Sequence, residues 1–357
     1  MKPSQTPVEL GYRMPAEWEV HAATWLAWPH ERADWPGKLQ PIPWVYGEVV
    51  RHLAPGERVR ILVKDATTER KARAVLVRVG VDLGQIDFFR VPTDRSWTRD
   101  FCPLFVKSSS DGDVAMTNWK FNGWAKYPNH KKDDAVGEWL ARKLRRKSWA
   151  PALGAGPRGR RIVLEGGSID LNGRGTLLTT EECLLSPVQA RNPGVSREAL
   201  ERVIGDHLGV RKVLWLGNGI AGDDTHGHID DLARFVDERT VVIAEETDPG
   251  DENFANLAEN RLRLESMTNA DGERLRVVGL PMPAPLRFDG VRLPASYANF
   301  YIGNHAVLVP TFNDPNDRRA LQILSELFPG RRVVGIHAVD LVWGLGTLHC
   351  MTQQEPA

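Results

Sequence analysis

Cys350 stands seven residues from the C-terminus, behind Gly344-Leu345-Gly346 and beside His349. A thiol attacks carbon as its thiolate, which needs cationic partners nearby, and glycines ahead of it free backbone N–H groups and let a ligand approach. The run Thr225-His226-Gly227-His228-Ile229-Asp230-Asp231 offers two readings. His226, His228 and Asp230 could coordinate zinc, or one His could serve as acid/base with an Asp as a cation anchor. Trp97-Thr98-Arg99-Asp100 sets an indole three residues from a carboxylate. That pair suits a planar cation, unless Arg99 merely neutralises Asp100 beside a core Trp. Glu165-Gly166-Gly167 adds a carboxylate on a permissive backbone. Cys102 and Cys183 lie in strand-like surroundings and read as structural. Acids and an indole suited to a guanidinium, a His–carboxylate pair and a glycine-flanked thiol together point to nucleophilic attack on a cationic carbon.

These clusters need a scaffold that gathers them, and the chain supplies a repeated one. Five amphipathic stretches each lead to a short β-branched run: 67–79 to 85–91, 133–147 to 161–164, 196–208 to 212–216, 253–268 to 275–278, and 315–328 to 332–336. Gly80, Gly209, Gly272 and Gly330 supply left-handed stops, while Ser196 and Asp314-Pro315 read as helix starts. Helices alternating with strands favour one α/β architecture over two unlike domains. Polar, titratable loops follow the strands at 92–100, 165–170, 223–231 and 343–354, as expected of one composite site. The stretch 148–160 reads as a surface insertion within a single domain spanning 1–357.

The 357 residues hold 46 Lys+Arg and 46 Asp+Glu, so the formal net charge is zero. Length alone allows about two domains. Neutrality argues against nucleic acid or anionic lipid as a partner, and no apolar run is long enough to span a membrane. Three cysteines are too few for a disulfide framework and leave at least one thiol free, so a reducing, cytoplasmic setting is expected.

Over almost its whole length the chain resembles the family of agmatine deiminases and bacterial, Porphyromonas-type peptidylarginine deiminases. The marks are Met14-Pro-Ala-Glu-Trp18, Ala23-Thr-Trp-Leu-Ala-Trp-Pro29, Trp97-x-Arg99-Asp100, Leu164-Glu-Gly-Gly-Ser168, Thr225-His-Gly-His-Ile-Asp230, Ser296-Tyr-Ala-Asn-Phe-Tyr-Ile302 and His349-Cys-x-Thr-Gln-Gln354. The resemblance implies the pentein fold, a five-bladed α/β propeller of pseudo-repeated ββαβ units. It makes Cys350 the nucleophile, His228 the acid/base, Glu165 the partner of His228, and Asp100 and Asp230 the grips on guanidinium nitrogens. Trp97, Asp224, Asn299 and Gly346 fall to substrate binding, with Asp224 near a distal amine. Leu345 stands where many members carry glycine and is expected to narrow the channel. Phe101-Cys102-Pro103 stands where many have Gly-Pro, and His226 is an extra titratable group.

The function so implied is hydrolysis of agmatine to N-carbamoylputrescine and ammonia, a step of polyamine metabolism, through a thiouronium on Cys350. The partner is a small guanidino substrate, no metal or organic cofactor is needed, and homo-oligomerisation is left open. Within the family the alternative is deimination of peptidyl or free arginine. Outside it stand a zinc hydrolase on His226, His228 and Asp230, and a silent guanidino-binding module.

Overall fold

In the computed structural model, which describes residues 5–154 and 159–357, strands of one kind recur five times. Each of five mixed sheets holds a central strand with an antiparallel neighbour on one side and a parallel neighbour on the other. The parallel pair is joined through a helix, as a parallel connection requires. Three sheets are three-stranded: Asp170–Leu171, Thr176–Thr180 and Lys212–Leu216; Ala233–Phe235, Thr240–Glu245 and Arg276–Pro281; and Tyr301–Ile302, Ala306–Thr311 and Arg332–His337. Their crossovers contain the helices Arg197–Leu208, Phe254–Ser266 and Asn316–Leu327, within a residue or two of the predicted spans.

The remaining sheets have four strands each, and both depart from the sequence reading. In one, His21–Ala27 pairs in parallel with Arg58–Val63 across the helix Ile42–Leu53, which sequence inspection passed over. The helix that was predicted, observed at Ala66–Arg78, carries the chain on to a further strand, Ile86–Arg90. The antiparallel neighbour of His21–Ala27 is the C-terminal strand Gln353–Pro356, so the tail closes the unit opened near the N-terminus. In the other sheet the crossover helix is Val136–Leu144, and the strand after it is Ser148–Trp149, not 161–164. Arg160–Arg161 instead pairs with Ala152–Leu153 as a hairpin. Of the stretch read as a surface insertion, 155–158 lie outside the described residues, while 148–149 belong to the sheet.

Local chemistry explains the boundaries. The Asp65 and Ser196 side chains accept from the N–H groups of Thr68 and Ala199, each occupying an otherwise unpaired helical donor, and Gly209 closes its helix at φ 77°. Ile42, Tyr46, Val49, Val50 and Leu53 line one face of Ile42–Leu53 and are buried against Trp28, Val59, Val307 and Val309. Residues of the same large cluster, Leu348 and Met351, flank the thiol and anchor it. Among the described residues no helix is long and apolar enough to cross a membrane.

Candidate active site

Five loops at sheet ends deliver the polar residues to one place. Cys350 sits one turn before the C-terminal strand, and its position is set from both sides. The Asn299 carbonyl accepts from the His349 N–H at 3.1 Å, and the Arg99 N–H donates to the Cys350 carbonyl at 3.1 Å. The thiol is buried, with its Sγ 3.2 Å from Asn299 Nδ2 and 3.8 Å from Asp230 Oδ2. Asn299 also accepts through Oδ1 from the Thr347 hydroxyl at 2.6 Å and the His349 N–H at 3.0 Å, and donates to Asp231 at 3.0 Å. It therefore acts as a clamp on the turn that carries the thiol.

His228 lies buried among three carboxylates. Its Nδ1 is 3.9 Å from both Asp100 Oδ1 and Asp230 Oδ1, and its Nε2 is 3.8 Å from Glu165 Oε2. Each carboxylate is held from behind. Asp100 accepts from the Trp124 indole at 2.9 Å and the Gly167 N–H at 3.1 Å. Arg191, itself buried, donates to Glu165 at 2.9 Å. Asp230 Oδ2 meets His349 Nδ1 at 2.6 Å, and the far nitrogen of His349 meets Glu17 at 2.8 Å. Glu17 in turn pairs with Arg99 at 3.1 Å and Arg234 at 3.0 Å. Arg99 thus serves Glu17 rather than Asp100, which leaves the Asp100 charge facing the site.

Close approach fixes the glycines. A Cβ on Gly167 would lie 2.5 Å from His228 Nδ1 and 2.9 Å from Asp100 Oδ1. One on Gly346 would lie 2.9 Å from the Trp97 ring, and one on Gly344 would lie 2.5 Å from Trp35 Nε1. Leu345 adopts φ 65° between those two glycines, a left-handed conformation that is costly for a side chain of its size.

Burial and neighbouring charge set the protonation states. Burial pushes the Cys350 thiol well above its ordinary range, and Asp230, Asp231 and Asp100 push it further. Burial likewise raises Asp100, to about 6. Glu165 goes the other way: burial opposes ionisation, but Arg191 and then His228 overcome it and bring the group to about 2. Burial disfavours the His228 cation, yet Asp100 leads a set of neighbours that raise it well above the usual imidazole range. Burial also opposes ionisation of Asp230, and the hydrogen bond from His349 wins and lowers it. These directions favour the protonated thiol at Cys350 and the protonated ring at His228.

A cavity of about 270 Å³ opens onto the thiol, lined by Trp97, Asp100, Trp124, Tyr127, Asp224 and Leu345, among others. Asp224 is bound by Lys126 and accepts from the Tyr127 hydroxyl at 2.6 Å. Arg95 reaches the same cavity, paired to Asp34 and stacked 4.1 Å from the Tyr127 ring centre.

The sequence-predicted residues Cys350, His228, Glu165, Asp100, Asp230 and Asn299 therefore converge, and Trp97, Asp224 and Gly346 line the approach. His226 does not join them: it stands at φ 64° with Nε2 3.2 Å from Ser186 Oγ, so His226, His228 and Asp230 do not form a metal site. Among the described residues, the metal-capable side chains within mutual reach are Glu165, Cys183 and His228. Cys183, read from sequence as structural, thus lies beside the site, on the helix Glu181–Leu185. Sequence reading also missed Arg191 and Trp124, whose neighbours in the chain carry no signal. Glu17 and His349 lay within quoted motifs and could have been singled out.

A buried thiol and imidazole ringed by carboxylates, on five mixed sheets each with a helical crossover, make an α/β protein consistent with the pentein fold that the family resemblance implies. The Porphyromonas-type peptidyl-arginine deiminase family matches residues 13–356, and the chain belongs to that family. It is 34% identical to an agmatine deiminase of Pseudomonas aeruginosa (strain LESB58), covering 99% of this chain and 98% of that protein. With an agmatine deiminase of Ectopseudomonas mendocina (strain ymp) the identity is 35%, over 99% and 97%. The solved agmatine deiminase of Enterococcus faecalis superposes with a TM-score of 0.90 at 32% identity, over 99% of this chain and 98% of that one. A C. jejuni agmatine deiminase with substrate bound gives 0.85 at 28%, over 97% and 96%.

Proposed function

We propose that this chain is an agmatine deiminase, releasing ammonia from the guanidinium of agmatine and leaving N-carbamoylputrescine, with the whole chain acting as one catalytic domain. One observation carries the assignment of the residues. Buried Asp230 Oδ1 has no hydrogen-bond partner in the protein, nor have the ring nitrogens of His228, whose Nδ1 is 3.9 Å from it, while the other Asp230 oxygen lies 3.8 Å from Cys350 Sγ. A buried carboxylate oxygen such as Asp230 Oδ1 is costly unless met by a donor, and a guanidinium brings a planar array of N–H groups.

In this reading Asp100 and Asp230 hold the guanidinium with its central carbon toward Cys350 Sγ at near-attack distance. The arriving cation offsets the carboxylates that keep the thiol protonated, so substrate binding itself favours the thiolate. The Cys350 thiol loses its proton to solvent and its sulfur bonds to the central carbon. His228, as imidazolium, protonates the departing nitrogen, and ammonia leaves a covalent S-alkylthiouronium. Neutral His228 then takes a proton from water, whose oxygen attacks the same carbon. The C–S bond breaks, the sulfur regains a proton, and the ureido product departs. Trp97 and Trp124 flank the aliphatic chain and Asp224 faces the distal amine. Arg95 does not repel a cation because Asp34 answers its charge.

The test is ammonia release from agmatine, free arginine and an arginyl peptide, by wild type and Cys350→Ala. Agmatine is expected to be turned over fastest, and the variant to bind agmatine without releasing ammonia. No release from any of the three by wild type would overturn the reading. Turnover surviving in Cys350→Ala would overturn the role of the thiol.

A further inference from the structure

The mechanism above leaves one reactive group unused. Cys183 is fully buried, yet its Sγ, one oxygen of Glu165 and one ring nitrogen of His228 all lie within 4.8 Å of one another. A thiol, a carboxylate and an imidazole are the donor types that zinc takes from proteins. Tetrahedral bond lengths of about 2.0–2.3 Å put neighbouring ligand atoms roughly 3.3–3.6 Å apart. The separation of His228 Nε2 from Glu165 Oε2 is 3.8 Å, within a few tenths of such an edge. Both of these atoms are buried and lack a hydrogen-bond partner in the protein.

We propose that Glu165, Cys183 and His228 form an inhibitory site for a thiophilic divalent cation, zinc in the first instance, built on the side of His228 facing away from the nucleophile's carboxylates. On binding, the Cys183 thiol gives up its proton to solvent and its sulfur bonds the metal. The protonated His228 also releases its Nε2 proton to solvent and binds through Nε2 as neutral imidazole, and Glu165 binds through Oε2. Two features support the geometry. Glu165 Oε1 stays with Arg191 at 2.9 Å, so Oε2 is fixed without being used. His228 Nδ1 faces Asp100 and Asp230 at 3.9 Å each, the carboxylate-backed arrangement that orients metal-bound histidines. Sequestering Nε2 removes the acid/base group, so metal occupancy and deimination exclude each other. That inhibitory consequence rests on the proposed deiminase reading, whereas the binding does not.

Two readouts separate them. The full-length protein, purified metal-free, is titrated with Zn2+ against a chromophoric chelator, and separately with Co2+ while the thiolate-to-cobalt absorption in the near ultraviolet is followed. Wild type and Cys350→Ala are expected to bind one ion with equal affinity and to show the band. Cys183→Ala is expected to lose the band and at least tenfold in affinity. In parallel, Zn2+ is expected to suppress ammonia release by wild type, with recovery on adding chelator. Cys183→Ala, measured against its own metal-free rate, is expected to need at least tenfold more zinc. Binding that survives in Cys183→Ala and vanishes in Cys350→Ala would overturn the proposal by placing the metal on the nucleophile, and so would absence of binding. Stoichiometric binding without any deiminase activity to inhibit would defeat the functional reading while leaving the site intact.

Discussion

At the scale of single residues, the site works by opposing burial with charge. At Asp100 burial prevails, raising the carboxyl to about 6 with only a partial offset from His228 and the Trp124 indole. A substrate cation is gripped by the ionised form, so kcat/KM for agmatine is expected to fall as pH drops through about 6. Replacing Trp124 by Phe removes a hydrogen bond that favours the carboxylate. The acid limb of the pH profile should therefore move to higher pH, which steady-state assays across pH 5–8 would read. A limb that stays in place would take Asp100 out of that titration. Arg191→Ala leaves Glu165 buried without its cation, and loss of about 3–5 kcal/mol in a urea melt is expected.

At the scale of elements, the glycine-flanked turn and a helix cap can be tested separately. Leu345 spends conformational energy at φ 65° while forming a wall of the cavity. In Leu345→Gly, relief of that strain and the greater freedom of the unfolded chain nearly cancel, leaving stability within about 1 kcal/mol of wild type. The wider cavity should raise turnover of free arginine relative to agmatine in the ammonia assay. The tail is a structural strand rather than a solvated end: Glu355 is buried, accepts from Trp25 at 2.9 Å and pairs with Arg60 and Arg146. Ser196→Ala removes a helix cap that lines no part of the cavity and should cost about 1 kcal/mol with activity unchanged, as paired melts and assays would show.

For the molecule as a whole, Glu17 ties the beginning of the chain to its end. It joins Arg99, Arg234 and His349, which come from separate loops and sheets, and Asp170 shares Arg234 at 2.8 Å. Burial opposes ionisation of Glu17, but Arg234, His349 and Arg99 together hold its carboxyl well below the ordinary range. A depressed folded-state value means a stabilising contribution that is complete above about pH 4.5 and is lost as pH falls through the folded value. Glu17→Gln should therefore lower Tm at pH 7 and flatten the acid side of the stability curve. An unchanged acid slope would show that other carboxylates carry it.

Periodicity and capping residues were enough to place five helices to within a few residues, because each helix declares its buried face locally. The helix Ile42–Leu53 escaped, since Pro41 and Pro43 at its start and Gly47 within it hide the pattern. The strand Ser148–Trp149 escaped because two residues carry no period. Motif spacing, read through family resemblance, also named the thiol, the imidazole and three carboxylates. What it could not supply was pairing between distant segments. Arg99 goes to Glu17 rather than to its neighbour Asp100, Arg191 reaches Glu165, and Cys183 comes beside His228 instead of His226. Residue types and local periodicity are written along the chain, whereas burial, charge compensation and the free faces of buried groups arise only when separate loops meet, so these were decided by the tertiary structure.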